Sequence, residues 1–121
     1  MSRDLLVVLD SEERVRTLHP DLEGVRTMTD AFAVIVTAKG ESDADFVSRF
    51  FAPGGGVDED PVTGSAHSTL IPFWSARLGK KEMKARQISR RGGVLYCRDA
   101  GERVRIAGHA RLYLEGTIMP D

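Results

Sequence analysis

An α+β fold, with a mixed, mainly antiparallel sheet curled around one central helix, is what this 121-residue sequence predicts. Three observations point there. In Gly64–Leu78 (GSAHSTLIPFWSARL), Ala66, Leu70, Trp74 and Leu78 fall four apart and Ile71 and Phe73 widen the stripe. A helix apolar over most of its circumference is a buried one, wrapped by sheet. Runs of aliphatic and β-branched residues precede it, the composition of buried strands. After it, apolar and charged residues alternate at period 2 between glycine-rich breaks, as in antiparallel strands with one wet face.

The elements follow in order. Asp4–Leu9 (DLLVVL) reads as a strand. Asp10, with Glu13 three positions on, is a capping-box-like start for a short helix to about Leu18. His19-Pro20 ends it, because the residue before a proline is pushed out of the helical region. Pro20–Gly24 predicts another brief helical turn. Phe32–Ala38 and Phe46–Ala52 are strand runs, and Pro53-Gly54-Gly55-Gly56 is the strongest breaker in the chain. The central helix follows, kinked at Pro72. Met83–Arg90, Val94–Arg98 and Arg103–Ala107 then read as strand and turn, and Leu112 and Leu114 alternate with Arg111, Tyr113 and Glu115 as a further strand. Residues 1–121 form a single domain with no internal linker.

Composition narrows the function. At 41% hydrophobic and 29% charged residues the chain is globular rather than disordered. No apolar run approaches the ~20 residues of a membrane-spanning helix. Leu5–Leu9 is too short for the core of a signal peptide, and acidic residues follow it at once. The single cysteine, Cys97, makes no internal disulfide and leaves no cysteine cluster for zinc, so a cytoplasmic protein is expected. The net charge of −1 conceals an asymmetry: residues 1–60 hold 6 Lys and Arg against 13 Asp and Glu, 61–76 carry none, and 77–111 hold 11 against 3. Either the two ends occupy different faces of the domain, or the second block builds an anion-binding face.

The stretch Asp58-Glu59-Asp60-Pro61-Val62-Thr63-Gly64-Ser65-Ala66-His67-Ser68 joins the glycine-rich loop to the helix. A helix start leaves backbone N–H groups without partners and carries about half a positive charge, and small residues let an anion approach closely. Gly64, Ser65 and Ala66 thus suit a carboxylate or phosphate; equally, Thr63 or Ser65 caps the helix and satisfies those donors alone. Asp60 sits just before them, as an acid or base beside a held ligand or as a solvated partner of the helix dipole. His67 either faces the same pocket or packs, and His109 is less suggestive. Three adjacent carboxylates seldom converge on one ion, which argues against a metal at Asp58–Asp60. Ser65 lacks a nucleophile-elbow setting, the glycine loop lacks the Lys-Ser/Thr ending of a P-loop, and the basic block lacks the aromatic motifs of nucleic-acid readers.

Taken together, Asp60-Pro61-Val62-Thr63-Gly64-Ser65-Ala66-His67, then Leu70, Pro72 and Trp74, then Gln87, Ser89 and Arg91-Gly92-Gly93, and Val104-Arg105-Ile106-Ala107-Gly108 resemble the phenazine-biosynthesis PhzF-like isomerase family. The resemblance runs from about Arg3 to Ile118. It implies a diaminopimelate epimerase-type fold, built from two similar α+β parts, each a mixed sheet around a central helix, with the active site between them. It implies that Asp60 handles protons, that Ser65 contacts substrate, and that the Gly64-Ser65-Ala66 backbone holds a carboxylate, with His67 at the same helix start. Related epimerases use paired cysteines; Asp60 in the corresponding loop implies carboxylate acid–base chemistry without a cofactor. Only the second, C-terminal part of the family pattern is matched; the part with the glutamate base and the partner histidine motif is absent. The expected partners are therefore a small carboxylate-bearing substrate and either the missing N-terminal half or a second copy in a homodimer, with no nucleic acid and no membrane. The chain alone is expected to be weakly active or inactive, and the alternative is a homodimeric binding or structural module without catalysis.

Overall fold

The computed structural model describes residues 4–28 and 32–121. Its elements are β1 (Asp4–Val8), α1 (Glu12–Thr17), α2 (Leu22–Arg26), β2 (Ala33–Lys39), β3 (Phe46–Ala52), a 3-10 turn (Pro53–Gly55), β4 (Val57–Asp60), α3 (His67–Leu78), β5 (Glu82–Gln87), β6 (Gly93–Asp99) and β7 (Val104–Ala107). The strands form one open sheet in the order β1-β2-β3-β5-β6-β7, with β4 added to β3 off this path. The β1–β2 and β3–β5 pairs are parallel; β2–β3, β3–β4, β5–β6 and β6–β7 are antiparallel. This is the mixed, mainly antiparallel sheet with a central helix that the patterning predicts.

Side chains alternate faces along each strand, and that period sorts the core into two clusters. Ala33 and Ile35 of β2, Phe46, Phe50 and Ala52 of β3, Met83 and Ala85 of β5, and Leu95 and Cys97 of β6 pack against Leu70, Ile71 and Trp74 of α3. Val34, Val36, Ala38, Val47 and Phe51 point the other way, against Val15 of α1 and Leu22 and Val25 of α2. Thus β2 is buried on both faces from Ala33 to Ala38, which is why its sequence is a continuous apolar run rather than an alternating one. Leu6 of β1 and Val104 of β7, at opposite ends of the strand path, both pack on the α3 cluster. Six strands laid flat would span about 24 Å, twice the diameter of a helix, so the sheet must curl round α3 to bring both ends to it. Phe46 stacks on Trp74 at 6.0 Å, Phe73 meets Trp74 edge-on at 5.2 Å, and the indole N–H donates to Thr37 Oγ1 at 3.0 Å. The buried tryptophan thus keeps its polar atom paired. The helix continues through Pro72, whose ring lies on an exposed stripe with Ser68 and Ala76.

Several boundaries differ from expectation, each for a local reason. Ser11, not Asp10, caps α1: its extended backbone lets Ser11 Oγ accept the Arg14 amide at 3.1 Å, while Asp10 pairs with the Arg14 side chain on the surface. α2 starts two residues later than Pro20 because Asp21 is the residue that caps it, accepting the Gly24 amide at 3.0 Å. β5 ends at Gln87 rather than Arg90, since Ser89 turns away to donate to Pro61 O and accept from the Gly92 amide. α3 starts at His67 rather than Gly64. The alternation at 111–115 makes no strand: residues 108–121 carry neither helix nor strand and are exposed throughout. Among the described residues no helix is long and apolar enough to cross a membrane.

Leu70 is fully buried and Leu112 is 79% exposed. Leu70→Ala is therefore expected to cost about 2–5 kcal/mol and Leu112→Ala under about 0.5 kcal/mol, read from urea unfolding midpoints.

Candidate functional site

The acidic run at the end of β4 is split by one extra residue. Between the pairs Phe50–Asp60 and Ala52–Val57, β3 advances two residues and β4 three, so β4 carries a bulge. Asp58 and Glu59 both serve the α1/α2 side: Asp58 lies 3.9 Å from Arg26, and Glu59 takes a two-point bond from Arg49 at 2.8 and 2.9 Å. Arg49 also donates to the carbonyls of Val15 and Leu18, stitching the end of α1 to β3. Asp60, opposite Phe50, lies instead on the α3 side of the sheet, half-buried, where its Oδ2 accepts the Thr63 hydroxyl at 2.5 Å. The three carboxylates thus take three different partners, and no cluster of three metal-ligating side chains exists among the described residues.

Residues 61–66 make no regular structure, yet three contacts fix them. Gln87 is 1% exposed at the end of β5, at the strand parity of buried Met83 and Ala85. Its Oε1 accepts the Thr63 amide at 2.8 Å, and its Nε2 donates to Asp60 O at 2.9 Å and Thr63 Oγ1 at 3.1 Å. Ser89 Oγ donates to Pro61 O at 2.8 Å. Val62 lies against Gly93 so closely that a Cβ there would overlap its side chain, so glycine is required. Sequence reasoning quoted Gln87 and Ser89 but gave them no role. The legible signal was a glutamine at an apolar-parity position, since a buried amide must find partners.

The helix start resolves the two readings left open by the sequence. Gly64, Ser65 and Ala66 form a turn in which Gly64 O, Ser65 O and Ala66 O accept the amides three residues on. Ala66 is the N-cap and no side chain caps the helix. Thr63 is committed to Asp60 and Gln87, and Ser65 is exposed and accepts none of the amides. Among the described residues the N–H groups of Gly64, Ser65 and Ala66 donate to no protein acceptor. Gly64 and Ser65 are exposed and Ala66 is buried. A Cβ built on Gly64 meets nothing within 4 Å, so the space above this turn is open. A depression of about 360 Å³ beside it is lined by Glu59, Pro61, Ser89, Arg90 and Arg91.

His67, expected at the same helix start, is fully buried beneath it. Its Nδ1 lies 2.7 Å from Thr63 O; a carbonyl only accepts, so the proton is on Nδ1 and Nε2 carries the lone pair. Nε2 has no partner, and the ring packs 6.0 Å from Phe46. Here His67 holds Thr63 from below rather than facing solvent. His109 is an exposed residue meeting Tyr96 edge-on at 5.5 Å, away from this turn. Cys97 is a buried thiol whose pKa burial pushes up to about 11, which leaves it no nucleophile at neutral pH.

A curled sheet around a helix with an uncapped, solvent-facing start and a carboxylate fixed at its edge defines an α+β protein with a ready anion cradle. Comparison with known proteins agrees with that class. The family model described as phenazine biosynthesis-like protein (PhzC-PhzF) matches residues 2–116, so this chain belongs to the PhzC/PhzF family. A Pseudomonas aeruginosa protein named as an uncharacterized isomerase is 58% identical over 94% of this chain and 43% of its own length. A PhzC/PhzF protein of Clostridium difficile superposes with a TM-score of 0.86 at 46% identity, over 98% of this chain and 46% of that one. A PhzF-family protein of Enterococcus faecalis gives 0.88 at 46% identity, over 94% and 44%. The chain thus spans less than half the length of these relatives.

Two outcomes follow. Gln87→Leu strands the Thr63 amide and is expected to cost about 1–3 kcal/mol, with faster hydrogen exchange at Thr63. Burial lowers the His67 pKa below its usual 6.5 in the folded state. The unfolded chain then binds the extra proton just below that value, so stability falls as pH drops through 6.5. His67→Leu should flatten this slope in unfolding measured between roughly pH 5 and 7.

Proposed function

We propose that this chain supplies one wall of a cofactor-free proton-transfer site of an isomerase acting on a small carboxylate-bearing metabolite. The free amides of Gly64, Ser65 and Ala66 hold the substrate carboxylate, and the Ser65 hydroxyl contacts the substrate beside it. Asp60, oriented by Thr63 and Gln87, carries the proton. The observation that carries this reading is the uncapped turn: three donors with no protein partner, beside a carboxylate that the fold goes to some length to orient. Family membership and the isomerase name of the Pseudomonas aeruginosa relative support the reaction class. Moving a proton between carbons needs an acid or base on each side of the substrate, so full activity requires the portion of the fold that this chain does not span. A cytoplasmic setting accords with the free Cys97 thiol.

Titration of the chain with small carboxylates is expected to shift the NMR signals of the Gly64, Ser65 and Ala66 amides selectively. Gly64→Ala, which meets nothing within 4 Å, should weaken this binding while leaving the unfolding midpoint in place. In a preparation completed with the remaining portion of the fold, Asp60→Asn should lower deuterium incorporation into substrate about 10²–10⁴-fold. Incorporation undiminished by that change would remove Asp60 from the mechanism.

A further inference from the structure

The segment after β7 carries apolar side chains that the rest of the fold does not use. Leu112, Leu114, Ile118 and Met119 are 79%, 80%, 89% and 88% exposed. Leu112 and Leu114 alternate with Arg111, Tyr113 and Glu115, which is the pattern of a strand with one apolar and one polar face. Yet the segment pairs with no strand, although β7 is the last strand of an open sheet. Its tether does not forbid pairing. Gly108–Ala110 is long enough for a hairpin that would lay residues 111–115 back along β7. On that edge, however, Arg111 would approach Arg103 and Arg105, a like-charge arrangement that disfavours pairing both with its own β7 and with that of a second copy.

The solved relatives say what lies against it. The superposition on the Clostridium difficile protein takes in 98% of this chain, hence most of residues 108–121, while this chain matches only 46% of that protein. The course of the segment is therefore shared with a protein that has more than as much chain again to cover it.

We infer that residues 109–119 are a docking strand for the portion of the PhzC/PhzF fold that this chain does not span. The occupant is a folded α+β partner with an unpaired strand edge beside apolar surface. The segment's backbone adds to that edge, and Leu112 and Leu114 turn inward beneath it. The inference deepens the functional reading and rests on it for the identity of the partner, since the strand would hold in place the wall that completes the site.

The test co-expresses the tagged 121-residue chain with the portion of the Pseudomonas aeruginosa relative that this chain does not match. Co-purification at equal stoichiometry is expected, with amide exchange at 109–119 slowed at least about tenfold. The double variant Leu112→Lys/Leu114→Lys should reduce recovered partner at least about tenfold, equivalent to some 1.4 kcal/mol, without moving the unfolding midpoint of the chain alone. No co-purification with the wild-type chain would overturn the inference. So would equal recovery with the double variant, or protection of 109–119 that grows with concentration in the chain alone, which would indicate a second copy. A tail-dependent complex that incorporates no deuterium into any carboxylate substrate would defeat the functional reading and leave the docking strand standing. A complex that is active but indifferent to the tail would do the reverse.

Discussion

The candidate site depends on one buried side chain, the amide of Gln87. β4 is short, bulged, and joined to the sheet through only two register pairs with β3, and residues 61–66 have no ladder of their own. Without a tie from another strand, Asp60 and the turn before α3 would be set only by chain continuity. Gln87 supplies the tie from β5, meeting a backbone N–H, a backbone C=O and a hydroxyl at once. Each such bond is worth only about 1 kcal/mol net, but the cost of leaving any of these buried groups unmet makes the geometry close to obligatory. His67 adds a second constraint from the helix side by taking Thr63 O. Thr63 is thus held through its N–H, its C=O and its hydroxyl, and its hydroxyl in turn holds Asp60.

Period 2 and one bulge then decide which acid is free for chemistry. Glu59 and Asp60 are neighbours in sequence, yet the pleat sends them to opposite faces. Glu59 is consumed by Arg49, which is itself anchored to the end of α1, so this pair is structural. Asp60 on the α3 face is held by a neutral hydroxyl and keeps its charge for something else. The acidic, neutral and basic order of the sequence is resolved in the same way. The acidic block is spent largely on surface pairs within α1, α2 and β4, and Lys84 and Arg86 of β5 are both drawn to Asp43. Arg90 and Arg91, at the rim beside Pro61, are the part of the basic block that lies near the helix start.

Much of the architecture was legible because apolar patterning is a property of the sequence itself. The double-sided burial of β2 shows in its unbroken apolar run, and Phe46–Ala52 was bounded correctly by a polar approach and a proline-glycine exit. The helix start was misplaced by three residues because Gly64-Ser65-Ala66 continue the helical spacing while their hydrogen bonds close at three residues rather than four. Whether Thr63 capped the helix was undecidable from sequence. The competing partners, Gln87 and Asp60, lie 24 residues ahead and three behind, and only the fold brings them together. The strand pattern at 111–115 is real, but periodicity reports a preferred conformation and not the presence of a sheet to join.

An anion cradle of this kind is as strong as what covers it. About half a charge at a helix start, 4 Å from a carboxylate, is worth about 0.5 kcal/mol in a medium as polar as water and about 2 kcal/mol where the effective dielectric constant falls to 20. Gly64 and Ser65 are exposed in this chain, so its amides act in the first regime. The same three donors would gain most of their value when a second wall excludes water, with no movement of their own. Pre-orienting Asp60 through Thr63 and Gln87 follows the same logic, since a rigid carboxylate contributes to catalysis only once the substrate is fixed against it. The exposed strand at 109–119 and the open cradle at 64–66 are then two aspects of one arrangement: the first supplies adhesion to a covering partner, and the second becomes effective through the desolvation that such adhesion brings.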